Sequence, residues 1–393
     1  MPDNRLRVLR IIARMNVGGP AVQVLGLLRG LDPDRYDQRL YTGNVEDHEA
    51  DHLQLCAPGL PAHRVAALGR RLRPLDDLRA LAGLVAAMRD FRPHIVHTHS
   101  AKAGALGRLA AAITGVPVRV HTFHGHLLHG YFPRPATRLL ILVERRLAAR
   151  TDRLVAVGAQ VRDDLIGAGI GRPGQFVVIA PGTTLPGPPD RATARDRLGL
   201  PPDRPVVVCV GRITTIKRPD RLVAVARAVR EQVPEVVFAV YGEGDRMGEL
   251  RAAARELPDT LRLSGWRTDV ETIYAAADLA LLTSDNEGMP MSLVEAGLAG
   301  VAAVATRVGS VAEVVQDGRT GVLASTEVAD LARSTVRLLR DPARRQALGN
   351  AARVYCAEQF AGERLVADVD RLYTELAVQH GWWPAPAAEE AER

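Results

Sequence analysis

Glu287 and Glu295 stand eight positions apart in the run Ser284-Asp-Asn-Glu-Gly-Met-Pro-Met-Ser-Leu-Val-Glu295. The segment changes character between them. Glu287 falls in a polar loop with Gly288 and Pro290, whereas Glu295 falls two turns into an apolar helical stretch over 293–299. Just upstream, 278–283 has the pattern of a buried strand. Strand, glycine turn and helix form a topology that aims backbone N–H groups at an anion. A carboxylate on each side of such a site can hold hydroxyls, one set on a sugar and one on a ribose. The combination points to a site for a nucleotide-activated sugar. Most glutamates are solvated surface acids, but here the loop chemistry, the spacing and the flanking strand agree on binding.

A second constellation supplies cations. Arg212 and Lys217 follow a strand pattern at 206–210, in Gly211-Arg-Ile-Thr-Thr-Ile-Lys217. Only Lys102 and Lys217 among 51 basic residues are lysines, so each draws notice. Arginine brings a planar fork and lysine a point charge, and both can converge on a diphosphate. Two such cations would stabilise charge growing on a leaving nucleoside diphosphate without a metal. Gly18-Gly19-Pro20 follows the first strand and opens the first helix, where the backbone can approach an anion. Neither that turn nor Gly242-Glu-Gly244 completes G-x-G-x-x-G, which weakens a dinucleotide reading.

Seven histidines cluster at 94, 97, 99, 121, 124, 126 and 129. No cysteine lies near them and their spacing is not that of zinc ligands, so no metal and no cofactor are expected. His124, beside Gly125 at a strand end, is placed to hydrogen-bond a sugar hydroxyl when neutral or to favour a phosphate when charged. The others read as structural or acceptor-side histidines. Asp152 and Asp163 read as helix-boundary or surface acids.

The elements that must position these groups alternate strand and helix. In the first half, strand patterns fall at 6–13, 36–41, 95–98, 119–122, 154–157 and 176–179. Helical patterns fall at 20–31, 75–90, 102–114 and 134–150. A Pro/Gly-rich segment at 181–189 reads as an interdomain linker. The alternation then restarts and ends in helices at 328–340, 342–359 and 363–379, with a tail over 384–393 expected to be disordered. Repeated βα units imply an α/β protein with two doubly wound parallel sheets, and ligands in the crevice at the carboxyl ends of the strands.

Bulk properties agree. A chain of 393 residues exceeds one ordinary core. Apolar content of 47% and charged content of 24% are those of a globular protein in water. No apolar run approaches the roughly 18 residues of a membrane span. Met-Pro-Asp-Asn-Arg leads straight into a strand, with no signal-peptide character. Cys56, Cys209 and Cys356 are odd in number and far apart, which fits a reducing cytosol. A cytoplasmic location is expected. Residues 1–185 carry a net charge of +10 and residues 186–393 a net −4. A basic first half suits a phosphate-bearing acceptor or an acidic membrane face. Aromatic residues are only 4% and no nucleic-acid motif is present, so nucleic acid is not an expected partner.

Together these residues resemble the retaining glycosyltransferases of family 4, which have the two-domain, Rossmann-like GT-B fold. The matching pieces are Gly18-Gly19, His121-Thr-Phe-His124-Gly-His126, Gly211-Arg212 with Lys217, Gly242-Glu-Gly244-Asp245, and Ser264-Gly-Trp-Arg-Thr-Asp269. The diacid segment, Gly309 and Asp317-Gly-Arg-Thr-Gly321 match as well. The match runs in order over roughly 5–360. Within the family the chain is most similar to bacterial envelope and exopolysaccharide transferases, through Val96-His-Thr-His-Ser-Ala-Lys102-Ala-Gly-Ala-Leu-Gly-Arg108 and the His/Gly loop before Tyr131-Phe132.

The resemblance implies a first, acceptor-side domain over 1–184, to which 363–380 returns, and a nucleotide-sugar domain over 185–362. Glu287 would contact donor-sugar hydroxyls and Glu295 the ribose. Arg212 and Lys217 would bind the diphosphate, and His124 would sit over the sugar. Gly18, Gly19, Gly242, Gly288, Met289, Pro290, Met291, Ser292 and Leu293 would line sugar and phosphate. The implied activity is metal-independent transfer with retention, from a UDP-sugar by default with GDP open, to a glycan or lipid-linked acceptor. Two departures touch local geometry: Ala180-Pro-Gly where many members have Asn before the Gly, and Gly300-Val301 where a Pro commonly follows. A nucleotide-sugar 2-epimerase, a sugar phosphorylase and a non-catalytic sugar-nucleotide-binding subunit remain alternatives on this architecture. The apolar, Arg-flanked helix at 134–150 leaves peripheral contact with the inner membrane face open alongside ordinary packing.

Overall fold

The computed structural model describes residues 5–46, 49–69, 73–125 and 133–384. His126, His129, Tyr131, Phe132 and the tail from 385 lie outside the described residues. Two wholly parallel sheets account for the strands. The first comprises β1 (Leu6–Arg14), β2 (Tyr36–Gly43), β3 (Ala62–Arg64), β4 (Ile95–His99), β5 (Val118–Phe123), β6 (Arg153–Ala156) and β7 (Phe176–Val178), in the order β3-β2-β1-β4-β5-β6-β7. The second comprises β8 (Val206–Val210), β9 (Val237–Tyr241), β10 (Leu261–Leu263), β11 (Leu279–Leu282), β12 (Ala303–Thr306) and β13 (Gly321–Ala324), in the order β10-β9-β8-β11-β12-β13. Parallel strands need covered crossovers, and both faces are clothed by helices. That is why β8 can be the unbroken apolar run Val-Val-Val-Cys-Val.

Each sheet reverses its winding once, between β1 and β4 and between β8 and β11. At such a switch point two neighbouring loops diverge and leave a crevice. The helices Gly19–Gly30 and Ala101–Thr114 start beside the first crevice. Thr215–Lys217 and Met291–Leu298 start beside the second. The helix is Met291–Leu298, so Glu295, its fifth residue, lies just over one turn into it, not two.

The chain crosses between the sheets twice at one place. Thr183 N–H donates to Phe360 O at 3.0 Å, and Thr183 bridges to Ala361. The closing helix Gly362–Gln379 then lies on the first sheet. Leu365, Val369, Leu372 and Tyr373 share a core with Leu6, Val8, Ile95 and Val120. Each such burial is worth roughly 1.5–3 kcal/mol. Arg35 and the Tyr36 hydroxyl both donate to Asp370 at 2.7 Å, fixing the helix along its length.

Candidate active site between the two sheets

The loop after β11 is built to present a carboxylate. Thr306 Oγ1 donates to Ser284 O at 2.8 Å, and Arg221 donates to Thr283 O at 2.7 Å. Thr283 Oγ1 donates in turn to Lys217 O at 3.0 Å, which ties the loops after β8 and β11 together. Within that frame Lys217 Nζ and Ser284 Oγ both donate to Glu287 Oε1 at 2.5 Å. Glu287 is one-tenth exposed and Lys217 about a quarter, so this is a half-sheltered ion pair open on one side. Among the described residues, Glu287 Oε2 has no protein donor. Arg212 is exposed and has no ion-pair partner among the described residues, although it lines the same space.

Glu295 sits deeper. Burial pushes its carboxyl up to about 7, against a smaller lowering by the Tyr274 hydroxyl. That hydroxyl lies 2.7 Å from Ser292 O and 3.2 Å from Glu295 Oε2. Tyr274 itself is held well above the usual phenol range, first by burial and then by the charge on Glu295.

His124 faces this group from the first sheet. Its Nε2 lies 3.0 Å from His99 Nδ1, and burial pushes it down to about 3, so the ring is neutral. The backbones of the two halves almost touch here. A Cβ on Gly288 would collide with His124 O, and one on Gly125 would lie 3.3 Å from Gly288 Cα. A Cβ on Gly19 would meet Met291 Cγ at 3.0 Å.

A cavity of about 2000 Å³ joins these parts. Gly18, Gly19 and His124 line it from the first sheet. Arg212, Lys217, Glu287, Gly288, Met289, Pro290, Met291, Ser292 and Glu295 line it from the second. Two expected contacts do not. Leu293 is packed in the core and its N–H donates to Pro290 O at 3.0 Å, because the helix start turns it inward. Gly242 is absent from the lining. Its φ of 137° and the collision a Cβ would make with Gly211 O give it a backbone role, letting the loops after β8 and β9 pass.

His97 and His121 are framework. His97 Nδ1 lies 2.6 Å from the Tyr373 hydroxyl and Nε2 lies 2.7 Å from Thr122 Oγ1, while His121 Nδ1 lies 2.8 Å from Thr98 Oγ1. Among the described residues no three His, Cys, Asp or Glu side chains converge as a metal site requires. Sequence reasoning gave no role to Ser284 or Tyr274, and read His99 only as a structural or acceptor-side histidine. Ser284 was visible three residues before Glu287, but Tyr274 and His99 reach their partners only through the fold. Trp266, which also lines the cavity, has a buried Nε1 without a hydrogen-bond partner among the described residues. The arrangement offers cations beside a helix N-terminus, one carboxylate on either side of it, and a neutral imidazole opposite. That set can grip an anion and its hydroxylated substituents together.

Residues 18–182 match the family described as Glycosyl transferase 4-like domain, and residues 190–355 match Glycosyl transferases group 1. A D-inositol 3-phosphate glycosyltransferase of Rhodococcus jostii is 30% identical over 95% of this chain and 88% of its own length. A protein of the same description from Salinispora tropica is 34% identical over 73% of this chain, which spans 64% of that relative's length. An Anabaena protein crystallised with UDP and glucose superposes with a TM-score of 0.80 at 21% identity, over 94% of this chain and all of its own.

Proposed function

Since this chain belongs to glycosyltransferase family 4, with the GT-B fold, we propose that it transfers a sugar from a nucleoside diphosphate to an acceptor hydroxyl with retention. UDP is the first candidate nucleotide, in line with the Anabaena neighbour bound to UDP. The observation that carries the reading is the junction of Lys217, Glu287 and Ser284 at the start of Met291–Leu298, with His124 across the cavity. Lys217 and Arg212 receive the diphosphate, aided by the N–H groups at the helix start. Their charge stabilises the departing diphosphate, so the route needs no metal. Glu287 exchanges its ammonium partner for donor-sugar hydroxyls as the phosphate claims Lys217. Glu295 takes the ribose. His124 hydrogen-bonds the sugar as a neutral imidazole. The leaving phosphate itself takes the acceptor proton on the same face, which preserves the anomeric configuration.

The acceptor side is read from the first domain. Leu139 and Val143 line the cavity mouth and are exposed, beside exposed Arg138 and Arg146. Apolar and cationic groups on one helix suit a lipid-linked acceptor presented at an anionic membrane surface in the cytoplasm. Among the described residues no helix is long and apolar enough to cross a membrane.

A panel of nucleotide sugars screened by thermal shift identifies the donor, since a ligand at a hundred times its Kd stabilises by about 2.7 kcal/mol. With that donor, Glu287→Gln and Lys217→Ala are expected to lower transfer by about 10²–10³-fold while circular dichroism is unchanged. Undiminished turnover in either variant overturns the site. Product formed from donor alone, with no acceptor, would point instead to epimerisation.

A further inference from the structure

One helix of the first domain begins without a cap of its own. Ala159–Gly167 follows Gly158, which has no side chain to accept from the first N–H groups. The cap arrives from the second sheet. Glu313, in the short helix Val311–Val314 after β12, accepts from Ala159 N at 2.7 Å through Oε2 and from Gln160 N at 2.9 Å through Oε1. A carboxylate is favoured there by the unpaired N–H groups and by the helix dipole. Gly158 is what admits it. A Cβ at 158 would lie 2.8 Å and 2.9 Å from the two Glu313 oxygens and 2.7 Å from Ser310 Oγ.

The segment carrying Glu313 also touches the proposed donor site. Ser310 N–H donates to Glu287 O at 3.2 Å, and a Cβ on Gly309 would collide with that same oxygen. Tyr355 steadies the far side, its hydroxyl donating to Glu313 O at 2.8 Å. The carboxylate that bridges the two sheets and the backbone that holds Glu287 are therefore parts of one short, braced loop.

We propose that Glu313 is a positioning residue for transfer, latching the first domain to the second in the arrangement that sets His124 over the Glu287 loop. The inference rests on the transferase reading of the cleft. Opening the cleft breaks two charge-assisted hydrogen bonds, but water then solvates both the carboxylate and the freed N–H groups. The latch therefore biases the domains toward closure without locking them. Arg212, Lys217 and Glu295, the charged groups proposed to grip UDP, all belong to the second domain, so losing the latch leaves most of the nucleotide affinity in place and slows the step that needs both halves.

The full chain is compared with Glu313→Ala, Glu313→Gln and Gly158→Ala; the last displaces the carboxylate from the opposite side by adding one methyl. Amide exchange at Ala159 and Gln160 is expected to speed by about tenfold in Glu313→Ala and Gly158→Ala. UDP affinity by calorimetry is expected to stay within about twofold, whereas kcat falls by about tenfold because the reacting groups are misaligned. Glu313→Gln, which keeps an acceptor oxygen and guards against loss of fold, falls between. Unchanged exchange overturns the latch, and so does faster exchange with undiminished kcat. A fall in UDP affinity that parallels kcat overturns it as well. Failure of the wild-type chain to turn over any nucleotide sugar would sink the transferase reading instead. Small-angle scattering then decides the latch, through a larger radius of gyration in Glu313→Ala, and equal radii reject it.

Discussion

Glu295 is held close to half-ionised at neutral pH, and this has a measurable result. Its carboxyl is pushed up to about 7 by burial. Ribose hydroxyls donate best to the ionised form. UDP affinity should therefore rise between about pH 6 and 8 and level off above, with a proton released on binding. Calorimetry in buffers of different ionisation heat reads the proton, and Glu295→Gln should flatten the profile. A flat wild-type profile would refute the ribose role. Glu287, Arg212, Lys217 and His124 were legible as single residues because loop-after-strand placement picks them out, and Glu295 because it is an acid in an apolar helical stretch. Their pairing was not: Lys217 and Glu287 are 70 residues apart, and only the β8–β11 neighbourhood joins them.

Most elements were legible because βα alternation imposes two distinct periods on the sequence. Val206–Val210, Val328–Arg340 and Pro342–Gln359 fall where the pattern puts them. Several short pieces escaped, three of them for reasons the structure shows. β3 has three residues, stands at the sheet edge and shows no alternation. His52–Cys56 is five residues long. Ala159–Gly167 has no local start signal, because its capping group belongs to residue 313. Arg134–Ala148 was legible, but its face was not. Only Glu144 and Ala148 are buried, and Glu144 is there to meet Arg108 at 2.7 Å. Leu139, Leu142 and Val143 point outward. Replacing Leu139 and Leu142 together by Asp should abolish co-sedimentation with anionic phospholipid vesicles without changing UDP affinity. Equal vesicle binding by wild type and variant would return this helix to ordinary surface.

Across the molecule, the first sheet hides a column of uncharged imidazoles. His97, His99, His121 and His124 are all held below the usual histidine range, by burial first. Arg10 and Arg108 add to the depression at His97 and His121. A depressed folded-state value means that the unfolded chain takes up protons first as pH falls below about 6.5. The stability these four groups contribute is present above that pH and lost on acidification, for His124 down to about 3. Glu295 works in the opposite sense, its contribution full below about 4.5 and fading as pH climbs through about 7, but one group opposes four. The melting temperature should therefore drop steeply from pH 6.5 to 5, and a flat scanning-calorimetry series would contradict this.

The double crossing beside Thr183 and Ala361 has a last implication for how such a chain can be rebuilt. Everything between those residues leaves and rejoins at neighbouring points, so the second half is a cassette whose ends meet. The first half is not: stopping translation before Gly362 would strip its sheet of the cover that Leu365, Val369 and Leu372 supply. Transplanting the cassette whole would exchange what is gripped by the cations and acids, and leave the recipient's own floor and roof intact.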